Sequence, residues 1–227
     1  MYWQDEKDGQ QSFQVPENVV DLLFRLDCKH LPLDHGYALS QAVQQEIPWI
    51  SSEPQAGIHQ IHVAESAHGW MRPDDPDKDL LWLPKRTRLK IRLPAHRLKE
   101  IVSLIGRTLD VDGHPLTVGE FTTKKLSKLT TIFCRYIDTE GLEDEVQFLK
   151  NIAMLLNRQG INIKKMMSGK LARHKTPDET ILTRKLMLSD LDVKQSIQLQ
   201  EDGLGNKKLL GLGIFMPHKG IDAVNKG

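Results

Sequence analysis

Strand-like and helix-like segments follow one another in the same order twice along this chain. VVDLLFRLD (19–27) puts Val20, Leu22, Phe24 and Leu26 on one side, the period-two pattern of a half-buried strand. LPLDHGYALSQAVQQEI follows as a short helix, with Asp34 as its expected N-cap and Tyr37, Ala38, Ala42 and Val43 on its inner face. GIHQIHV (57–63) and TRLKIRL (87–93) read as two further strands, separated by the polar loop PDDPDKD (73–79). Pro94 then opens a second helix, in which Leu98, Ile101, Val102 and Ile105 form an apolar stripe and Gly106 is the stop. TLDVDGHPLTV (108–118) turns back on itself as a strand pair around Asp112-Gly113. The order is strand, helix, strand, strand, helix, strand.

KLTTIFCRYID (128–138) starts that order again. EDEVQFLKNIAMLLNRQG (143–160) is the strongest helix, with acids in its first turn, Leu149, Ile152, Ala153 and Leu156 on its core face, and Gly160 at its end. INIKKMM and TILTRKLML read as strands, SDLDVKQSIQLQEDG as a capped helix ending at Gly203, and LLGLGIFMP as a last strand. Two β-α-β-β-α-β units in tandem predict an α+β chain of two ferredoxin-like (RRM-like) halves, each an antiparallel sheet with helices on one face. The expected division is an N-terminal extension (1–17), a first lobe (18–122), a second lobe (123–219) and a loose tail (220–227).

A chain of 227 residues, 39% hydrophobic and 27% charged, can bury a core in each of two such lobes. No apolar run approaches bilayer length, and MYWQDEKDGQQ is too polar and acidic for a signal peptide. A soluble, cytoplasmic protein with no membrane partner is expected. Cys28 and Cys134 lie inside apolar runs and read as reduced core thiols. The net charge of +1 conceals segregation. Residues 85–99 hold Lys85, Arg86, Arg88, Lys90, Arg92, Arg97 and Lys99, and residues 158–175 hold Arg158, Lys164, Lys165, Lys170, Arg173 and Lys175 with no acid among them. Acids gather elsewhere, in RPDDPDKD and TEGLEDE. A near-neutral total is thus compatible with a strongly basic face.

GLGNKKLLGLGIF (203–215) has the composition of a phosphate-binding loop but the wrong context. It follows a helix and enters a strand, whereas a dinucleotide fingerprint runs from a strand into a helix whose N-terminal amides meet the phosphate. The spacing of a Walker A loop is absent as well. Gly203, Gly205, Gly211 and Gly213 leave backbone that a ligand can approach closely, with Lys207 and Lys208 beside it. That arrangement suits the backbone phosphates of a nucleic acid, or a glycine-eased turn with solvated lysines.

Continued to MPHKG, this stretch resembles the C-terminal glycine-rich signature of the CRISPR-associated repeat-processing endoribonucleases of the RAMP superfamily. LPLDHGYAL, AGIHQI, TRLKIRLPAHRL and GRTLDVDGHPLTVG are similar to the corresponding segments of the myxan-type branch, so the resemblance runs from about residue 20 to 219. It implies tandem ferredoxin-like domains and cleavage of CRISPR precursor RNA within each repeat, giving guide RNAs, with no metal and no other cofactor. The implied partners are the precursor and mature RNA, with other subunits of a CRISPR effector complex as further candidates.

Metal-free cleavage of RNA uses the neighbouring 2′-OH as nucleophile and leaves a 2′,3′-cyclic phosphate and a 5′-OH. It needs a group to take the 2′-OH proton, one to protonate the leaving 5′ oxygen, and cations for the charge on phosphorus. His35, in the first turn of the first helix, is the leading candidate for either proton transfer. Its position agrees with the family, whose catalytic histidine commonly lies at or just before this helix. Tyr37 is placed to hydrogen-bond the 2′-OH or a phosphate oxygen. His59 is the candidate second proton-transfer group; His62, three residues on, faces the other way in a regular strand. The phosphate-stabilising residue is unassigned, with Lys207 and Lys208 as candidates.

For binding, Arg88, Lys90 and Arg92 project to one side of TRLKIRL, a row of cations spaced to follow a phosphate backbone, with Arg86 just before it. NIKKMMSGKLARHK adds Lys164, Lys165, Lys170 and Arg173 on a strand and hairpin fit for the groove of an RNA stem. His218 and Lys219 extend the set of expected RNA contacts. With only 6% aromatic residues, binding is expected to lean on charge rather than stacking. Competing readings are a non-catalytic RAMP-fold RNA-binding subunit, which retains RNA without cutting it, and a zinc protein using Cys28, His30, His59, His62 and His68, whose spacing lacks the close pairs of a structural site. A two-histidine phosphodiesterase is set aside, since it needs two His-x-Ser/Thr motifs and the sequence has a single one, His174-Lys175-Thr176.

Overall fold

The computed structural model describes residues 14–63 and 79–218. Residues 1–13 of the extension, residues 73–78 of the PDDPDKD loop, His68, Lys219 and the tail 220–227 lie outside the described residues.

Strand β1 (Val19–Asp27) leads through β2 (His30–Pro32) into helix α1 (Gly36–Glu46), then β3 (Gly57–Ile58), β4 (Leu80–Trp82), β5 (Arg88–Pro94), β6 (Thr108–Val111) and β7 (His114–Lys125). The first sheet has the order β3-β5-β1-β7-β6, with antiparallel neighbours; β2 and β4 form a separate pair. The second lobe contains β8 (Ile132–Asp138), helix α2 (Glu145–Arg158), β9 (Lys165–Lys175), β10 (Thr180–Ser189), helix α3 (Val193–Asp202) and β11 (Phe215–Pro217). Its sheet has the order β11-β8-β10-β9. In each lobe the first strand therefore lies between the third and fourth, the arrangement a β-α-β-β-α-β unit reaches when its helices cover one face. β6 is an extra edge strand, folded against β7 by the Asp112-Gly113 turn, where both residues have positive φ. The chain passes between sheets after Lys125 and before Ile132, against an expected division after residue 122.

Period-two alternation fixes which face of each strand is buried. Leu89, Ile91 and Leu93 of β5 are fully buried, and they join Leu22 and Phe24 of β1 and Leu39 and Val43 of α1 in the first core. The second core sets Ile132 and Cys134 against Phe148, Ile152 and Leu156 of α2 and Leu199 of α3. Its helices have the expected stops and starts. Asp144 caps α2 by accepting from the Gln147 backbone N–H, and Asp192 forms a capping box with Gln195 on α3. Cys28 and Cys134 are free thiols in different lobes, and burial pushes the Cys134 thiol up to about 12.

Several expectations differ: GIHQIHV (57–63) is strand only at Gly57–Ile58, and LLGLGIFMP only at Phe215–Pro217, after a 3₁₀ turn at Lys208–Leu210. The helix expected after Pro94 is two 3₁₀ turns, Ala95–Arg97 and Ile101–Leu104. With three residues per turn the buried pair is Ile101 and Leu104, three apart, while Val102 is half exposed. The expected N-cap Asp34 also does not cap α1. His35 occupies that position, without a side-chain cap, and the Asp34 carboxylate crosses to the second lobe, accepting from the Lys175 backbone N–H at 2.7 Å.

Candidate active site

A cleft opens where the two sheets meet. Arg88 and Lys90 of β5 line one side, Arg135 and Tyr136 of β8 and Met216 of β11 the other. His59, Gln60 and His62 line its end, together with Gly211 and Ile214 of the glycine-rich loop. The cations of β5 reach it because their neighbours Leu89 and Ile91 take the core face.

Arg92 continues the same alternation but is not an open cation. It is 2% exposed. Its Nε donates to Asp21 Oδ1 at 2.8 Å and its Nη2 to Oδ2 at 3.2 Å, while Nη1 donates to the carbonyls of Gln200 and Phe215. The expected RNA contact is therefore corrected to a clamp between lobes, because a buried guanidinium must be paired and bonded to be tolerable. Burial opposes ionisation of Asp21, yet the Arg92 guanidinium holds its carboxyl well below the usual carboxylate range. Lys90, 4.0 Å from Asp21, is pushed down by burial and further by Arg92, Lys124 and Arg135.

His35 is 1% exposed and does not line the cleft. Its Nδ1 is 2.9 Å from the Pro32 carbonyl and its Nε2 2.9 Å from the Ile61 backbone nitrogen. The carbonyl must accept and the amide must donate, so the ring is the neutral tautomer with its proton on Nδ1. The sequence-based assignment of His35 to proton transfer thus meets a ring whose two nitrogens are both engaged. What it does here is hold the segment 59–62. That grip also explains why β3 stops at Ile58: the Ile61 amide bonds an imidazole instead of a strand neighbour, and Gln60 reaches the Leu210 carbonyl. Without a regular strand, His59 and His62 come to the same cleft rather than to opposite faces. Tyr37 is half-buried in the first turn of α1 and is not part of the cleft lining.

His59 is buried, with Nε2 3.7 Å from Asp21 Oδ1, too long for a hydrogen bond. Burial pushes it down to about 4; Asp21 opposes that shift and Lys90 and Arg92 add to it. A histidine whose folded value is lowered leaves the unfolded chain binding more protons below its ordinary value. Stability is therefore expected to fall as pH drops from about 6.5 towards 4, by roughly 1.4 kcal/mol per pH unit at most. Urea midpoints measured across that window should show the fall, and His59→Gln should flatten it.

The glycine-rich loop is packed rather than open. Gly203, Gly205, Gly211 and Gly213 all have positive φ. A Cβ on Gly211 would lie 2.7 Å from Gln60 Cγ, so this glycine lets the loop abut the histidine segment. Lys207 pairs with Asp138 at 2.9 Å and Glu179 at 3.0 Å, and Lys208 donates to the Asp202 carbonyl. Arg86, Lys164, Lys170 and Arg173 are exposed; Lys165 pairs with Asp190. The last four belong to or adjoin β9, the strand farthest from β11 in its sheet. His218 stands edge-on to Phe133, ring centroids 5.7 Å apart. Among the described residues no group of three or more His, Cys, Asp or Glu is placed to share a metal ion.

Sequence reasoning did not single out Arg135, Tyr136, Gln60 or His174. His174 bridges the lobes, 3.5 Å from Asp34, 3.1 Å from Thr183 Oγ1 and stacked edge-on with Tyr136 at 4.5 Å. The available signal was alternation: Ile132 and Cys134 are buried, which puts Phe133 and Arg135 on the other face of β8, while the register shift in its pairing with β10 brings Ile137 back to the core.

A family model described as Cas6 Crispr matches residues 20–220. The chain belongs to the Cas6 family. It is similar to the CRISPR-associated endonuclease Cas6 of Myxococcus xanthus (strain DK1622), 23% identical over 198 residues that cover 87% of this chain and 81% of the relative. Among solved structures it is similar to the product of a Cas6-related gene from Pyrococcus furiosus, with TM-score 0.60, 18% identity, and coverage of 88% and 99% of the two chains. It is also similar to Thermus thermophilus Cse3 bound to an RNA representing a pre-cleavage complex, with TM-score 0.50, 12% identity, and coverage of 87% and 98%. These structural likenesses bear out the double ferredoxin-like fold of this Cas6 chain. Within that fold, the cleft is where imidazoles, cations and a tyrosine come together.

Proposed function

We propose that this protein binds CRISPR precursor RNA and cuts it within each repeat, with the 2′-OH beside the scissile phosphate as nucleophile and without a metal ion. The observation that carries the reading is the convergence of His59 and His62 with Arg88, Lys90, Arg135 and Tyr136 in one cleft of a Cas6-family chain. The relative from Myxococcus is named an endonuclease, and the Thermus neighbour was solved with a pre-cleavage RNA, which fits the same reading.

In this scheme Arg88, Lys90 and Arg135 offset the charge that develops on phosphorus. His62, exposed on the cleft, exchanges protons with the reacting oxygens, and Tyr136 hydrogen-bonds the phosphate. His59, buried and held neutral by that burial, lines the same cleft as the second imidazole. His35 acts through the backbone of 59–62 and is a positioning residue.

The test is incubation with the host's own repeat RNA in EDTA, followed by end-group analysis. Expected are a 2′,3′-cyclic phosphate, a 5′-OH, and no cutting when the single ribose at the scissile bond is replaced by deoxyribose. His62→Ala should slow cleavage on the order of 10²–10⁴-fold with repeat binding retained. His35→Ala should lower cleavage and thermal midpoint together, because the 59–62 segment loses its anchor. Loss of cleavage in His35→Ala at unchanged midpoint and unchanged amide exchange of residues 59–62 would return the chemistry to His35. Repeat RNA held but uncut by the native protein would make it a binding subunit and overturn the proposal.

A further inference from the structure

Two glycines shape the space that Gln60 occupies. A Cβ on Gly36 of α1 would lie 2.5 Å from Gln60 Nε2, and one on Gly211 of the glycine-rich loop 2.7 Å from Gln60 Cγ. Nε2 donates to the Leu210 carbonyl at 3.0 Å, which fixes the NH₂ end of the amide towards that loop. The same nitrogen lies 3.4 Å from His174 Nδ1. Gln60 belongs to the histidine segment of the first lobe, and His174 to β9 of the second. The place of this one side chain, between His59 and His62, is thus set from both lobes.

His174 is itself braced. Its Nε2 is 3.1 Å from Thr183 Oγ1 on the adjacent strand β10, and its Nδ1 is 3.5 Å from Asp34 Oδ1 in the first lobe. The NH₂ group of Gln60 can only donate, so Nδ1 accepts there and the ring proton sits on Nε2, bonded to the Thr183 hydroxyl. The other oxygen of Asp34 accepts from the Lys175 backbone N–H at 2.7 Å. Burial opposes ionisation of Asp34, yet His174 and that amide hold its carboxyl below the usual range. The His174 and Asp34 side chains are each 12% exposed, so water competes little for these contacts. Tyr136 meets the same imidazole edge-on, with ring centroids 4.5 Å apart. His174 does not line the cleft, but it touches one cleft-lining side chain from each lobe, Gln60 and Tyr136.

We propose that His174 is a positioning residue for RNA cleavage: braced by Asp34 and Thr183, it holds Gln60 on one side and Tyr136 on the other, and so sets the 59–62 segment of the first lobe against the tyrosine of the second. The inference rests on the reading that this cleft cuts RNA, and adds which residue outside the cleft fixes its geometry. Proton-transfer and phosphate-binding groups act only within hydrogen-bond reach of the reacting atoms, and here they come from two lobes. Their mutual placement therefore depends on contacts that cross between the lobes. His35 anchors the histidine segment from inside the first lobe through the Ile61 amide, and His174 anchors it from the second through Gln60. Arg92 ties the lobes through the backbone carbonyls of Gln200 and Phe215, whereas His174 ties them through side chains that line the cleft.

The test is single-turnover cleavage of the host's repeat RNA at saturating protein, with repeat affinity measured separately by fluorescence anisotropy. His174→Ala should slow cutting about 10–100-fold at unchanged affinity, the effect of misplacing reacting groups by on the order of 1 Å. His174→Asn keeps an acceptor near the place of Nδ1 and should recover part of the rate, which mere filling of space by a ring would not allow. His174→Ala/Gln60→Ala should be no slower than the slower single variant, because the two residues act through one contact. Asp34→Asn can still accept from the Lys175 amide, and should slow cutting less than His174→Ala does. Native cutting by His174→Ala, or additive losses in the double variant, overturns the proposal. A loss of repeat affinity that accounts for the loss of rate makes His174 an RNA contact and overturns it too. Should His174→Ala fail to fold, native rates in both His174→Asn and Asp34→Asn overturn the proposal without it. All these outcomes leave cleavage by the native protein in place, whereas its failure to cut repeat RNA removes the functional reading itself.

Discussion

Arg92→Ala is expected to destabilise the protein by about 3–5 kcal/mol, the range for removing one partner of a buried ion pair. The Asp21 carboxylate would be left buried beside Lys90 and an unbonded His59. The carbonyls of Gln200 and Phe215 would lose their donor, and with it a direct tie from the second lobe to the first. Arg92→Lys should recover little, because one ammonium cannot reproduce a fork directed at a carboxylate and two carbonyls. Removing the stranded charge in Asp21→Asn/Arg92→Met should recover part of the loss, although the two carbonyls stay unpaired. Urea unfolding of the three variants checks the order. Were Arg92 an open phosphate contact, as the alternation of TRLKIRL alone predicts, Arg92→Ala would leave the urea midpoint nearly unchanged and reduce only RNA binding.

That contrast shows what was legible in the sequence. Periodicity along β5 sorted Leu89, Ile91 and Leu93 from Arg88, Lys90 and Arg92, and the repeat of strand and helix order led to the double ferredoxin-like fold. It did not separate Arg92 from its two neighbours, because the carboxylate that buries it stands 71 residues earlier, at Asp21. His35 was visible as a histidine at the start of α1. Its engagement was not, since its two partners are a carbonyl three residues back and an amide 26 residues on. The contact of His174 with Gln60 was hidden for the same reason, as 114 residues separate them. The apolar stripe after Pro94 was read with a period of 3.6, and the chain there winds with a period of three. Local pattern thus specified elements and faces, while pairing across the fold decided which polar groups are open to a ligand.

Within the glycine-rich loop, Gly213→Ala is expected to be the most damaging single change. Gly213 has φ of 77°, and a Cβ there would lie 1.9 Å from the carbonyl oxygen of Leu204. The obstructing atom is backbone, so no side-chain rotation relieves it. Its own amide donates to the Tyr136 carbonyl at 2.8 Å, and its carbonyl accepts from the Leu204 amide at 2.9 Å. Making room for a methyl group breaks both bonds and moves the loop that carries Gly211 against Gln60. The left-handed backbone adds roughly 1–2 kcal/mol of strain, and the displaced bonds and contacts bring the expected total to about 4 kcal/mol or more. Gly205→Ala is the control. Its φ is 80°, but a Cβ there meets nothing within 4 Å, so only the backbone strain remains. If these glycines served chiefly to admit a phosphate, the two variants would melt alike and differ in RNA affinity. If they serve to fold the loop onto β8 and the histidine segment, Gly213→Ala should lower the thermal midpoint far more than Gly205→Ala. Faster amide exchange at residues 204 and 213 should accompany that loss, since those are the amides whose bonds the methyl group breaks.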